Sequence, residues 1–193
     1  MWRPISICMI VCALSLGCER YNARDGVAPN GTDGSLAVGE DMAPERAVAV
    51  LVPVGDSGVS GTVEFTRSGD AVQVSGEVEG LSPGKHGFHV HQYGDLADQQ
   101  SGKSAGGHFD PMGHEHGRPS DETRHVGDLG NIEAGDDGKA SIQIEDDVIA
   151  LAGPHSIVGR ALVIHAQPDE FTQPTGNAGD RVAFGVIGIA NPE

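Results

Sequence analysis

From Arg46 onward the sequence alternates apolar and polar residues with a period of two. Val48, Val50 and Val52 fall on one face of an extended segment. Val59, Gly61, Val63 and Phe65 do the same, as do Val72, Val74, Gly76 and Val78, with Gln73, Ser75, Glu77 and Glu79 opposite. Residues two apart on a strand share a face, so the pattern predicts half-buried antiparallel strands. Gly55-Asp56-Ser57-Gly58 and Ser68-Gly69-Asp70 supply the turns. Five further strands are expected at 84–91, 127–134, 139–145, 160–166 and 181–189, making eight. With 29 Gly, 11 Pro and only 4% aromatics, the composition suits short strands and many turns better than a helical bundle. Two stretches break the alternation: 92–126, crowded with Gly, His and Asp, and 167–180. An irregular loop as long as the first, inside a compact domain, is usually functional. The expectation is a β-sandwich or flattened barrel with two loops carrying the chemistry on one side.

The 193 residues leave room for one domain of ordinary size plus an extension. The three cysteines are Cys8, Cys12 and Cys18, so the predicted domain, 46–193, holds no disulfide, thiolate site or thiol nucleophile. Arg3, the apolar stretch Ile5 to Leu16, and small Gly17 before Cys18 read as an export signal over 1–17. Leu14-Ser15-Leu16-Gly17-Cys18 resembles a bacterial lipoprotein processing site, with Ser15 where Leu is usual. That resemblance implies a lipidated Cys18, a membrane-surface anchor, and a periplasmic or cell-surface location. Residues 18–45, rich in Gly, Pro, Asp and Ser, read as a flexible tether. The formal charge of −16 argues against nucleic-acid binding, which needs a basic surface.

Six of the nine histidines lie between His86 and His116. On a strand, His89 and His91 project to the same face and can reach one ion. His108, His116, His125 and Asp128 follow within or just after the long loop, and His165 closes a late strand. Seven ligand-type residues in such a region favour a metal site, and with no Cys available the donors are imidazole plus one carboxylate. That set suits Zn or Cu(II) better than Cu(I), Mg or Ca. His114 and His155 read as surface residues, and His86 as ordering loop backbone. Arg124 and Arg160 read as bonded to loop carbonyls rather than as substrate guides.

His86-Gly87-Phe88-His89-Val90-His91, Gly107-His108-Phe109-Asp110-Pro111, His125-Val126-Gly127-Asp128-Leu129-Gly130-Asn131, Gly176-Asn177-Ala178-Gly179-Asp180-Arg181 and Gly185-Val186-Ile187-Gly188-Ile189-Ala190 together resemble copper–zinc superoxide dismutase. The resemblance covers about 46–190. It implies an all-β fold, an eight-stranded Greek-key β-barrel or immunoglobulin-like sandwich with two long functional loops. It implies superoxide converted to dioxygen and hydrogen peroxide by Cu(II)/Cu(I) cycling. Copper would take His89, His91, His108 and His165. Zinc, structural and redox-silent, would take His108, His116, His125 and Asp128, with His108 shared as a bridging imidazolate. Asp169 would be the carboxylate linking a copper His to a zinc His. Arg181 would be the fixed cation beside the open copper position, catalytic together with His108. The runs Gly185 to Ala190 and Ile157-Val158-Gly159 resemble an apolar homodimer surface.

Two departures from the family pattern carry information. Gly102 and Phe184 stand where the family usually has a disulfide, so Phe184 is expected to pack beneath the loop as an apolar anchor in its place. The segment between Asp169 and Gly176 is only residues 170–175, with Glu170 its one charge. A non-catalytic copper- and zinc-binding or copper-delivery domain of the same fold is the alternative reading. Such a domain needs neither the shared His nor Arg181. A copper-only relative would lack His116, His125 and Asp128, and a purely structural sandwich leaves the seven ligand-type residues unexplained.

Overall fold

A computed structural model describes residues 43–192. The expected signal peptide (1–17), lipidated Cys18 and tether lie outside the described residues, apart from 43–45. Eight strands follow: β1 (Arg46–Pro53), β2 (Ser60–Ser68), β3 (Ala71–Glu79), β4 (Gly84–His91), β5 (Asp128–Ala134), β6 (Lys139–Asp146), β7 (Ala161–His165) and β8 (Arg181–Ile189). Among the described residues the helical content is one 3-10 turn, Lys103–Ala105. The strand order is β5-β4-β7-β8-β1-β2-β3-β6, with every pairing antiparallel. β5 and β6, at the two ends of that order, come together and nearly close the barrel. The all-β, eight-stranded expectation holds, with the strand limits within one or two residues of those read from the alternation.

The barrel interior is filled by alternate residues: Val63 and Phe65 from β2, Val72, Val74 and Val78 from β3, Phe88 and Val90 from β4, and Leu162 and Ile164 from β7. One strand presents the face opposite to its most obvious stripe. β1 buries Ala47, Ala49 and Leu51, while Val50 and Val52 stand 63% and 38% exposed. Both faces of β1 are apolar, so periodicity alone does not choose between them, and the small alanines are the ones packed inward.

The outer wall of β4, β7 and β8 is also buried, because the long loop lies over it. Phe184, fully buried, gathers Val54, Ala105, Ala161 and Val163 into a second cluster, with Leu96 packed against it. Leu96 and Ala105 belong to the loop and the rest to the barrel and its rim, so the cluster has the composition expected of an apolar anchor. Burying such a side chain is typically worth about 1.5–3 kcal/mol, comparable to the roughly 2–4 kcal/mol of a disulfide.

Candidate metal centre

The site forms between that outer wall and the loops. Phe88 and Val90 point into the barrel, which leaves His89 and His91 on the loop-covered face of β4. The loop then runs back beside the strand end: Gln92 N–H donates to the Gly107 carbonyl at 2.8 Å, and Phe109 N–H to that of Val90 at 2.8 Å. This pairing sets His108 opposite His91. His165 ends β7, where the ladder to β8 shifts register. Asp128 opens β5, and His125 precedes it by one turn.

Two groups of side chains converge. His89, His91, His108 and His165 each offer a ligand atom within 4.8 Å of the others, and so do His108, His116, His125 and Asp128. All seven residues are buried. His108 belongs to both groups; its ring centroid lies 4.1 Å from that of His89 and 5.1 Å from that of His116.

The hydrogen bonds show which nitrogens face inward. His89 Nε2 donates to Asp169 Oδ2 at 2.8 Å, His91 Nδ1 to the Gly106 carbonyl at 2.9 Å, and His165 Nδ1 to that of Gly179 at 3.2 Å. With those nitrogens donating, the opposite ones carry lone pairs. His91 Nε2 and His165 Nε2 face each other at 3.3 Å, and His89 Nδ1 and His108 Nε2 are buried without partners. Buried lone pairs aimed at one another are unfavourable unless a cation lies among them.

In the second group, Asp128 Oδ1 lies 2.8 Å from His108 Nδ1 and 3.2 Å from His125 Nδ1. His116 Nδ1 is 2.9 Å from Asp128 Oδ2 but off the line of a hydrogen bond, and so also partnerless. The residues therefore fit two ions, a four-imidazole set suited to Cu(II) and a three-imidazole, one-carboxylate set suited to zinc.

Asp169 links the groups from behind, reaching His89 with one oxygen and His116 Nε2 with the other at 3.0 Å. Gly176, at φ +77°, packs against this link; a Cβ there would run into the Asp169 carboxylate and the His116 ring.

Burial lowers His108 to about 4 and His165 to about 3, aided for His165 by the neighbouring His89; hydrogen bonding to Asp128 offsets part of the His108 shift. Burial also pushes His116 down, but the Asp128 and Asp169 carboxylates beside its two ring nitrogens outweigh it and raise the ring to about 9. Asp128 and Asp169 lie below the usual carboxylate range. Their burial, which would raise them, is overcome by the histidines bonded to them.

An opening of about 230 Å³ leads to His91, His108 and His165, with Arg181, Lys103, Thr175 and Asp180 at its rim. The Arg181 guanidinium donates to the carbonyls of Gly102 and Gly106, which fixes its direction. Gly102 has φ +67°, and a Cβ there would come within 3.0 Å of Arg181 Cδ. Sequence reasoning overlooked Lys103. Its place on the 3-10 turn is what brings it to the rim, and a lone Lys in a Gly-Ser run carries no signal of that. His86 Nδ1 donates to the carbonyl of His165 at 2.8 Å, ordering backbone. Arg124 donates to the His125 and Val126 carbonyls and pairs with buried Asp146 at 2.5 Å. Arg160 donates to the carbonyls of Ser156 and Gln92. His114 is exposed and His155 half-buried.

A family described as copper/zinc superoxide dismutase (SODC) matches residues 59–187. Among solved structures, one titled as the clock protein EA4 is 44% identical, covering 77% of this chain and 97% of that one, with a TM-score of 0.72.

Proposed function

The chain belongs to the copper/zinc superoxide dismutase family, and from that premise we propose that it converts superoxide to dioxygen and hydrogen peroxide at the opening beside His91, His108 and His165. The observation that carries this reading is the pair of buried ligand groups sharing His108, set next to a clamped guanidinium. Copper held by His89, His91, His108 and His165 supplies one-electron redox chemistry, and zinc held by His108, His116, His125 and Asp128 supplies a fixed charge without redox change.

The chain's own residues do the rest. Arg181 attracts and orients a small anion, with a charge that does not titrate away in the working range. Its two carbonyl acceptors hold the guanidinium in place before substrate arrives. Lys103 adds a second cation at the rim. The opening has room for a diatomic anion beside these cations. His108 Nε2, which has no protein partner, would take up a proton only when its lone pair is not engaged by copper, and could then pass it to departing peroxide. Asp169 keeps His89 and His116 in the tautomers that present their inner nitrogens.

A copper-delivery domain would have no use for a clamped Arg181 at a narrow opening. We propose further that the chain is exported and held at a membrane surface through Cys18, and that it pairs with a second copy. Support for pairing comes from Val50, Val186 and Ile189, which stand exposed on adjacent strands β1 and β8; Ile157 and Ile187, from the same apolar runs, are core. The catalytic reading is tested by following superoxide decay and peroxide yield with the metal-loaded chain. Rapid, chelator-sensitive decay with one peroxide per two superoxide supports it. Stable copper and zinc without turnover would favour the non-catalytic alternative.

A further inference from the structure

Gln173 lies in the short loop between Asp169 and Gly176 and directs both ends of its amide at one residue. Its Oε1 accepts from the His116 N–H at 3.0 Å, and its Nε2 donates to the His116 carbonyl at 2.8 Å. Among the described residues, these are the hydrogen bonds that the His116 backbone makes. An amide paired to both backbone groups of a residue fixes its place much as a neighbouring strand does. His116 needs such a partner, because it sits in the irregular loop, and Met112 to Glu115 just before it are exposed.

The contact continues on the ring. His116 Nε2 bonds to Asp169, the Phe171 ring stacks on His116 at 6.3 Å and 15°, and the Arg118 guanidinium covers Phe171 at 4.6 Å. Asn131 on β5 treats Asp169 as Gln173 treats His116. The Asp169 N–H donates to Asn131 Oδ1 at 2.7 Å, and Asn131 Nδ2 donates back to the Asp169 carbonyl at 3.0 Å. Two reciprocal amide pairs thus bracket the His116–Asp169 bond, one from a strand and one from the loop. The loop end is itself braced: Glu170 N–H donates to the Gly176 carbonyl at 2.8 Å and Gly176 N–H to that of Thr172 at 2.7 Å.

We propose that Gln173 is a positioning residue for the three-histidine, one-aspartate site: it fixes the direction of His116 Nδ1, and through it the retention of zinc, without touching the ion. The inference rests on the reading of that group as the zinc site. It assigns the short loop, whose one charge is Glu170, a task in the site. Groups that orient metal ligands from behind typically change affinity by roughly 10- to 100-fold when removed.

The test uses the full-length, metal-loaded chain. Gln173→Met keeps the side-chain length and removes both hydrogen bonds. Zinc release to excess chelator is expected to accelerate about tenfold or more, with copper release from the four-histidine group unchanged. Gln173→Glu keeps the acceptor for the His116 N–H and loses the donor, and is expected to fall between. With Co(II) in the zinc position, the visible ligand-field bands of Gln173→Met are expected to shift. Zinc release equal to that of the unsubstituted chain would overturn the proposal. So would zinc and copper release rising together with a lowered melting temperature, which is the signature of general loosening. Faster zinc release in a chain that consumes no superoxide would leave this inference standing and sink the catalytic reading alone.

Discussion

Asp169 accepts a hydrogen bond from His89 at 2.8 Å with one carboxylate oxygen and reaches His116 at 3.0 Å with the other, so a single side chain orients a ligand of each metal group. Asp169→Asn keeps one acceptor and loses the charge. Zinc affinity is expected to fall roughly 10- to 100-fold. His116 loses one of its two carboxylates, so its pKa should drop from about 9 towards its ordinary value. Chelator competition measures the first effect and histidine NMR titration of the stripped chain the second. Unchanged values in both would remove Asp169 from the site.

Phe184 ties the long loop to the wall in a domain without cysteine. A thiol reductant that does not bind metal is expected to leave both melting temperature and activity unchanged. Phe184→Ala is expected to cost about 3–5 kcal/mol and to speed zinc loss, because the loop it underlies carries His108 and His116. Calorimetry and zinc release check the two effects. Activity lost under reductant with metals retained would count against the anchor.

The histidine shifts set a pH dependence for the metal-free chain. His108 and His165 are lowered to about 4 and 3, so the unfolded chain binds their protons first, and stability falls as pH drops below about 6.5. His116 is raised to about 9, so its stabilising contribution is complete below about 6.5 and is lost as pH rises through 9. The melting temperature of the stripped chain should therefore peak near pH 6.5 and fall on either side. Zinc must displace the His116 proton, so its affinity should climb with pH up to about 9 and then level. Calorimetry in buffers of different ionisation enthalpy should find that proton released near neutrality. A flat zinc affinity between pH 6 and 9 would contradict the assignment.

The chain carries −16 overall, yet Lys103 and Arg181 stand at the opening. Distant charge is screened beyond about 8–10 Å at physiological salt, so a small anion meets last these two cations set against the one carboxylate of Asp180. Arg181→Gln is expected to slow superoxide consumption about tenfold or more. Lys103→Gln is expected to slow it a few-fold and to flatten the fall of rate with ionic strength. Stopped-flow or pulse radiolysis across a salt series checks both. A steep salt dependence that survives Lys103→Gln would place the steering elsewhere.

The strands were legible because Val, Phe and Ile alternate with polar residues, and His89 and His91 because two positions on a strand share a face. β1 shows the limit of that signal. Its Val48, Val50 and Val52 stripe is as apolar as the buried Ala47, Ala49 and Leu51 stripe, and only packing distinguishes them. The convergence of His108, His116, His125 and Asp128 followed from the resemblance, since ligands from an aperiodic loop announce no geometry of their own. Gln173, Phe171 and Lys103 stayed hidden for the same reason. Each acts through contacts between two irregular segments, and such contacts leave no period and no spacing in the sequence. Phe184 could be read, because an apolar residue where a cysteine is usual implies a packing substitute.

The central claim is that the imidazole of His108 joins the two metal positions. Electron paramagnetic resonance of the chain with Cu(II) in the four-histidine group and Co(II) in the zinc position tests it directly. If His108 joins them, filling the second position with cobalt quenches the copper signal by magnetic coupling, and His108→Ala restores it in protein that still holds both ions. Full copper signal intensity in the unsubstituted, doubly loaded chain would contradict the account.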